Sequence, residues 1–412
     1  MFIFTLYKYD INNYTFTMKK IQKAIESNIY IKNTESTIFT VLLDKVLHEN
    51  PDIELDKEYY VHALLGYPKW CKNSDIFCYI KDKPLSLLQK NKAYFVFDAS
   101  TEGFSTLYDQ PFFDVLYFNC EKYGVDTSQI IFVSSNLRDE KNMKIFSVRN
   151  NKKPLNVFSF ISFEQVLAID DGQALERCEE FFETSYKQCK SQFNDKYFSS
   201  LSRVNREWRM YSQAILFNSG LQKRALLSHD KIEENFTQFL HDKKLSREKI
   251  NNFKKSLPLT VDQKDFSKNW AINTPYTNIH DQTLFQLVNE TLVEDLNEST
   301  LFYSEKTFRP IAKFQPFVIW GQPGANTQLK NIGYCFYEDW FDLIFDNEND
   351  HVRRHKMLFE MLQHVCAEID QLSKDEKIEW RFKNTEVLKH NFKTMASSEW
   401  SKDKLKEFIK KI

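Results

Sequence analysis

Glu305 and Lys306 stand side by side in YSEKTFRPIAKFQPFVIWGQPG, residues 303–324. Ser304 reads as a helix N-cap, with the Glu-Lys pair in the first turn. Pro310 and Pro316 limit that helix to about ten residues or interrupt it. FVIW then reads as a buried strand, and GQPG as the turn at its carboxyl end. The turn holds Gly321 and Gly324, two of only eight glycines in 412 residues. A helix N-terminus offers unpaired N–H groups and a positive dipole end, which suit a phosphate. Lys306 adds a full positive charge, and the Glu305 carboxylate can accept hydrogen bonds from a ribose diol. Together they make a nucleotide-diphosphate pocket. The same residues also fit a helix that Glu305 merely caps, with Lys306 in solvent.

Arg203, Arg206 and Arg209 recur every third residue where a strand gives way to a helix in LSRVNREWRMYSQAILFNSG, residues 201–220. Arginine forks match phosphate oxygens, so this turn is a second candidate phosphate site. The competing reading is a basic, solvated helix face. Metal chemistry has little support. No Asp-x-Asp follows an apolar strand, and the His351–His355 pair in HVRRH is interrupted by two arginines. That turn reads as a solvated helix and not a zinc site. Walker, Gly-x-Ser-x-Gly and Gly-x-Gly-x-x-Gly motifs are missing.

The chain that must position these groups is globular: 42% hydrophobic, 27% charged, with 37 Phe and 19 Tyr. Its length suits two domains of ~150–250 residues each. A net charge of −1 provides no global field for nucleic acid or an anionic membrane. A local basic patch is still available at Lys141, Lys144, Arg149, Lys152 and Lys153. Seven cysteines without a CxxC pair fit reduced thiols in a cytosol. The start, MFIFTLYKYDINNYTF, reads as a strand and not a signal peptide. The ~18-residue apolar run of a membrane helix does not occur.

Strand and helix alternate along the chain. KAYFVFDAS (92–100) is a buried-type strand ending in a loop with Asp98, Glu102 and Gly103. A helix at 111–123 and a strand at 129–135 follow, a βαβ spacing that predicts a parallel sheet. The apolar piece 155–163 precedes a long helical stretch at 164–192. KYFSSLS (196–202), 207–220 and 226–228 read as strand, helix and strand. Residues 229–270 are charged and helical. A later β-rich core is marked by 283–292 and 315–321, and helices fill 351–372, 374–392 and 398–411. The pattern predicts an α/β protein with an N-terminal domain at 1–195, a second domain at 196–395 and a C-terminal helix at 396–412.

LVNET…LFYSEKTFRPIAKFQPFVIWG resembles the donor-binding signature of the fucosyltransferases. There a strand with Asn or Glu precedes Tyr-x-(Thr/Ser)-Glu-Lys, a helix, and a Pro-apolar strand ending in Gly. Residues 195–395 also resemble tailed-phage proteins with a TEKTFKPI…QPFI motif and a following Trp-(Trp/Phe)-Asp, here DWFD at 339–342. These resemblances imply two facing Rossmann-like domains, the architecture called GT-B, and a nucleotide-sugar donor as co-substrate, with no bound cofactor and no metal. They assign the ribose to Glu305 and the diphosphate to Lys306, and match Asn289 and Glu290 to the upstream strand motif. The phage-type pattern at 201–209 keeps the three arginines but has Ser202 for Asn and Trp208 for His. Where the fucosyltransferases have small residues after the helix, this chain has Lys313–Pro316, which leaves the nucleotide open.

A glycosyltransferase that inverts the anomeric centre needs a base. Glu102 is the first candidate and Asp98 the second, both at the end of a first-domain strand. Capping and loop solvation fit them equally. The resulting expectation is a metal-independent glycosyltransferase, cytoplasmic and without a membrane span, acting on a hydroxylated base in phage DNA or on a glycan. The alternative is a non-enzymatic phage structural or host-interaction protein that keeps the fold.

Overall fold

Runs such as AYFVFDA and TLFQLVN have no polar face, so strands made from them must be covered on both sides. The computed structural model uses them that way: each is buried along its whole length, one in each of two parallel sheets. The structure describes residues 21–23, 37–63, 77, 80, 82–100, 103, 105–107, 110–164, 174–202, 206–230, 232, 234–259, 261, 277–294 and 299–412. The strand expected at the start of the chain, Glu102 and Arg203 lie outside these residues, as do parts of the helical stretches expected at 164–192 and 229–270.

The first half of the described chain runs β1 (Ile21–Lys23), α1 (Ile38–Glu49), β2 (Glu58–Ala63), α2 (Asp82–Gln89), β3 (Ala93–Ala99), α3 (Gln110–Tyr123), β4 (Ile130–Ser134), α4 (Asp139–Asn150), β5 (Asn156–Ser159) and α5 (Cys178–Gln192). Then come β6 (Lys196–Leu201), α6 (Glu207–Asn218), β7 (Ala225–Ser228), α7 (Glu234–Asp242), α8 (Arg247–Ser256), α9 (Thr277–Asp281) and β8 (Thr283–Asn289). The remainder is α10 (Glu305–Ala312), β9 (Phe317–Trp320), α11 (Ala325–Asn331), α12 (His351–Asp370), α13 (Lys374–Phe382), α14 (Thr385–Ser397) and α15 (Glu399–Lys411).

These elements form two compact units. Unit 1 comprises Met1–Val166, Leu296–Phe302 and Glu399–Ile412; unit 2 comprises Leu167–Asp295 and Tyr303–Ser398. The division differs from a single crossing near 195, because α5 belongs with unit 2. Its Phe182 ring packs on Phe314 and Phe382 at 5.4 and 5.7 Å, and Ser185 Oγ donates to the Lys313 carbonyl at 2.7 Å. An amphipathic helix between two sheets carries no mark of which one it will cover. The last helix, α15, goes to unit 1, where Leu405 joins the α1 core.

In unit 1 the strands lie in the order β1-β2-β3-β4-β5, all parallel, with Phe95 opposite Ile130. Alternate residues serve the two faces. Phe95, Phe97, Ile130 and Phe132 meet α2, α3 and α4, whereas Tyr94, Val96, Ile131 and Val133 meet α1 and α15. The βαβ expected at 94–135 is therefore present. In unit 2 the order is β7-β6-β8-β9, again all parallel. The chain leaves β6 towards one edge and returns to build on its other side. In doubly wound sheets ligands bind outside the carboxyl ends of the strands that flank such a reversal, which here are β6 and β8. The unit 1 order has no such reversal among the described strands.

The HVRRH turn, expected in solvent, is half inside. Arg354 and His355 on α12 are buried, because this face of the helix covers β9. The His355 ring lies between Trp320 and Tyr211, at centroid distances of 4.9 and 5.1 Å. His280 on α9 is equally enclosed, with Nδ1 2.7 Å from Gln315 Oε1. Burial holds both imidazoles far below their usual 6.5, down to about 3.

Both rings stay neutral in the folded chain to about pH 3 and take up a proton near 6.5 once unfolded. Their contribution is complete above pH 6.5 and declines as pH falls towards 3. The decline is about 1.4 kcal/mol per pH unit for each ring. Urea titrations between about pH 7 and about pH 5 should show it, and His355→Gln should remove one ring's share of the slope.

Candidate functional site

Strand β8 ends at Asn289, and the next residue is Glu290, 1% exposed. A carboxylate this deep must be fully hydrogen-bonded. Its Oε1 accepts from the Ser304 N–H at 3.0 Å and Thr307 Oγ1 at 2.7 Å. Its Oε2 accepts from the Thr291 N–H at 2.8 Å and Ser304 Oγ at 2.7 Å. Ser304 is the N-cap of α10, as the sequence indicates, so Glu290 locks the start of that helix in front of the β8 end.

Glu305 and Lys306 occupy the first turn of α10. The Lys306 ammonium lies 2.8 Å from Glu305 Oε1, 3.2 Å from Ser304 Oγ and 3.3 Å from Thr291 Oγ1. Its side chain is 25% exposed, so it is half-sheltered and still reachable. Burial, aided by the Arg209 charge, lowers the Lys306 pKa, against the pull of Glu305 and Glu290. Burial alone would raise Glu305, but Lys306 and Arg309 outweigh it and hold the carboxyl down to about 2. Glu305 is therefore ionised at neutral pH.

Arg209 comes to the same place from the first turn of α6. It is 4% exposed, and its Nε donates to the Glu290 carbonyl at 2.8 Å. Its Nη2 is enclosed and has no protein partner. Burial and the neighbouring Arg206 charge lower its pKa to about 10. Arg206 itself is the exposed N-cap residue of α6, without a side-chain cap. Asn289 Nδ2 donates to Ser200 Oγ at 2.7 Å, and that hydroxyl also receives Gln213 Nε2 at 2.8 Å. Asn289 therefore braces β8 against β6 beneath Arg209. Trp208 turns away, its Nε1 donating to the Glu294 carboxylate.

The two glycines of GQPG have separate causes. A Cβ on Gly321 would lie 3.2 Å from Ile319 Cγ2 and 3.3 Å from Glu290 Cβ. Its backbone is pressed against the residue that anchors α10. Gly324 has φ +78° and forms the N-cap of α11. Asp346 serves that helix end, accepting from the N–H groups of Asn326 and Thr327 at 3.2 and 2.7 Å. The Asn326 amide copies a strand, accepting from the Ile319 N–H at 2.9 Å and donating to its carbonyl at 3.0 Å. Arg354 donates to the carbonyls of Gly321 and Val293 at 2.7 and 3.1 Å, fixing the turn from below.

In unit 1, Asp98 is the penultimate residue of β3, in a closed setting and 4% exposed. Its Oδ2 accepts from the Phe39 N–H at 3.3 Å, at the start of α1, and Oδ1 from the Ser100 N–H at 3.0 Å. Burial raises its pKa against these bonds. Lys141, Lys144 and Arg149 are exposed on α4, and Lys153 pairs with Asp126 at 3.0 Å. A further polar cluster gave no motif in the sequence. Asp139 is fully buried and accepts from Ser134 Oγ, the Thr106 N–H, Asn136 Nδ2 and Asn142 Nδ2, at 2.6–3.1 Å. Among the described residues, no group of three His, Cys, Asp or Glu side chains could hold a metal ion, and no helix is long and apolar enough to cross a membrane.

No family model matches the chain, and no curated protein matches it. Among solved structures, the N-terminal domain of Candida albicans trehalose-6-phosphate phosphatase is similar at 10% identity and a TM-score of 0.41, over 90% of this chain and 74% of that one. An α,α-trehalose-phosphate synthase (UDP-forming) from Burkholderia vietnamiensis is similar at 10% identity and a TM-score of 0.39, over 90% and 78%. The α,α-trehalose 6-phosphate synthase of Burkholderia multivorans gives 9% identity and 0.39, over 89% and 74%.

Asp98→Ala would leave the Phe39 and Ser100 N–H groups without their acceptor. It should lower unfolding free energy by about 1–3 kcal/mol, read from the denaturant midpoint. A base free of structural duty would leave the midpoint unchanged.

Proposed function

We propose that the chain is a metal-independent glycosyltransferase whose unit 2 takes the nucleotide-sugar donor. The observation that carries this reading is the enclosed, unpartnered Nη2 of Arg209, beside Lys306 and the α10 N-terminus at the reversal of strand order. Two cations and a helix N-terminus suit a diphosphate, and a crevice at a reversal is where such a group enters. Glu305, ionised and next to Lys306, would accept from the ribose hydroxyls.

The chemistry follows from the charges. The bond from the anomeric carbon to the diphosphate oxygen breaks, and negative charge grows on the leaving group. Lys306 and Arg209 stabilise that charge without a metal. The acceptor hydroxyl forms the new bond to the anomeric carbon and passes its proton to a carboxylate. Glu102 is the preferred base, since the Asp98 oxygens already bind main-chain N–H groups. For the acceptor, a hydroxylated base in phage DNA or a glycan is consistent with the exposed Lys141, Lys144 and Arg149.

Calorimetry with UDP-, GDP- and CMP-sugars tests the reading. One class should bind, and Lys306→Ala and Arg209→Gln should each weaken it by about tenfold to a hundredfold. Absence of heat and of thermal shift with every donor would overturn it.

A further inference from the structure

Matching by sequence sets Glu290 among the donor-binding residues, but its carboxylate has no acceptor position to spare. A carboxylate offers about four lone-pair directions. The Thr291 N–H, the Ser304 N–H, Ser304 Oγ and Thr307 Oγ1 occupy four. The main chain of Glu290 is committed as well. Its N–H donates to the Trp320 carbonyl at 2.9 Å, and its carbonyl accepts from Arg209 Nε at 2.8 Å. One residue thus ties the first turn of α6, the first turn of α10 and the end of β9.

Glu290 holds each side chain without its own carboxylate pairing directly with the cation. Arg209 is bound through its Nε to a carbonyl and not to a carboxylate, so its charge is not cancelled by a direct ion pair and Nη2 stays unpartnered. The Ser304 hydroxyl gives its proton to Glu290 and turns its lone pairs to Lys306, whose N–H and ammonium lie 3.4 and 3.2 Å away. We propose that Glu290 is a positioning residue, which sets Arg209 and Lys306 at one fixed spacing for a diphosphate and does not itself touch the ligand. The proposal rests on the donor-site reading above and is tested so that the two can fail separately.

The probes are inorganic pyrophosphate, followed by calorimetry, and the titration of Lys306 itself, followed by mass spectrometry of acetylation rate against pH. Pyrophosphate has no ribose, so a residue that contacts only the ribose leaves its affinity unchanged. Glu290→Gln should weaken pyrophosphate roughly tenfold or more. It should also move the Lys306 midpoint to lower pH, since Glu290 and Glu305 raise that lysine against burial and Arg209. Gly321→Ala changes no charge but presses on Glu290 Cβ. It should weaken pyrophosphate while leaving the Lys306 midpoint nearly in place.

The proposal is overturned if Glu290→Gln binds pyrophosphate as the parent chain does, or loses affinity for nucleotide-sugars alone. If Glu290→Gln does not fold, unchanged pyrophosphate binding by Gly321→Ala overturns it. If the parent chain binds neither pyrophosphate nor any nucleotide-sugar, the donor-site reading falls and this proposal with it; if the parent chain binds pyrophosphate and Glu290→Gln does not weaken it, this proposal alone falls.

Discussion

A carboxylate taken out of water must regain in the protein every hydrogen bond it gives up, or it costs several kcal/mol. Glu290 meets that condition with donors from two loops and a helix end, and Asp139 does so in unit 1 with two asparagines, a serine and a main-chain N–H. Such a group leaves its neighbours little freedom. The ends of β4 and β8 are held by these bonds as well as by apolar packing. In unit 1 the same network reaches the returning segment, where Asn136 and Asn142 donate to the Ser299 carbonyl at 2.9 and 2.6 Å.

The two sheets are alike in construction and unlike in what they offer. Both use strands buried on two faces. Among the described strands only the unit 2 order reverses, and its reversal brings together groups from α6, the end of β8 and α10 that the sequence separates widely. Around that point charges of both signs meet. Arg209 and Lys306 stand beside Glu290 and Glu305, so the ligand-free site is not a bare cationic hole. An anion would have to be recognised by geometry as well as by charge.

What could be read ahead followed from local rules. Two-sided apolar runs, an N-cap serine and a Glu-Lys first turn are decided within a few residues, and β3, β4, β8, β9 and α10 appear where those rules put them. Long-range choices were not legible. Nothing in Arg206 and Arg209 tells which will be drawn inward; Arg209 is, because the Glu290 carbonyl lies within its reach. HVRRH looked polar and solvated, yet Arg354 is buried by finding three carbonyls and the Trp320 face. Glu290 matched a motif only loosely, and its bonding to Ser304 and Thr307 depends on the loop that separates them.

The Asn326 amide takes up the Ile319 N–H and carbonyl on the outer side of β9, the edge strand of its sheet. An open edge of this kind is a template on which a strand from another molecule can add, and proteins commonly blunt it. Here one side chain stands in for the missing neighbour. The parallel sheet is thus terminated chemically as well as by running out of strands. A chain this rich in phenylalanine and isoleucine gains from it a guard against growing edge to edge into aggregates.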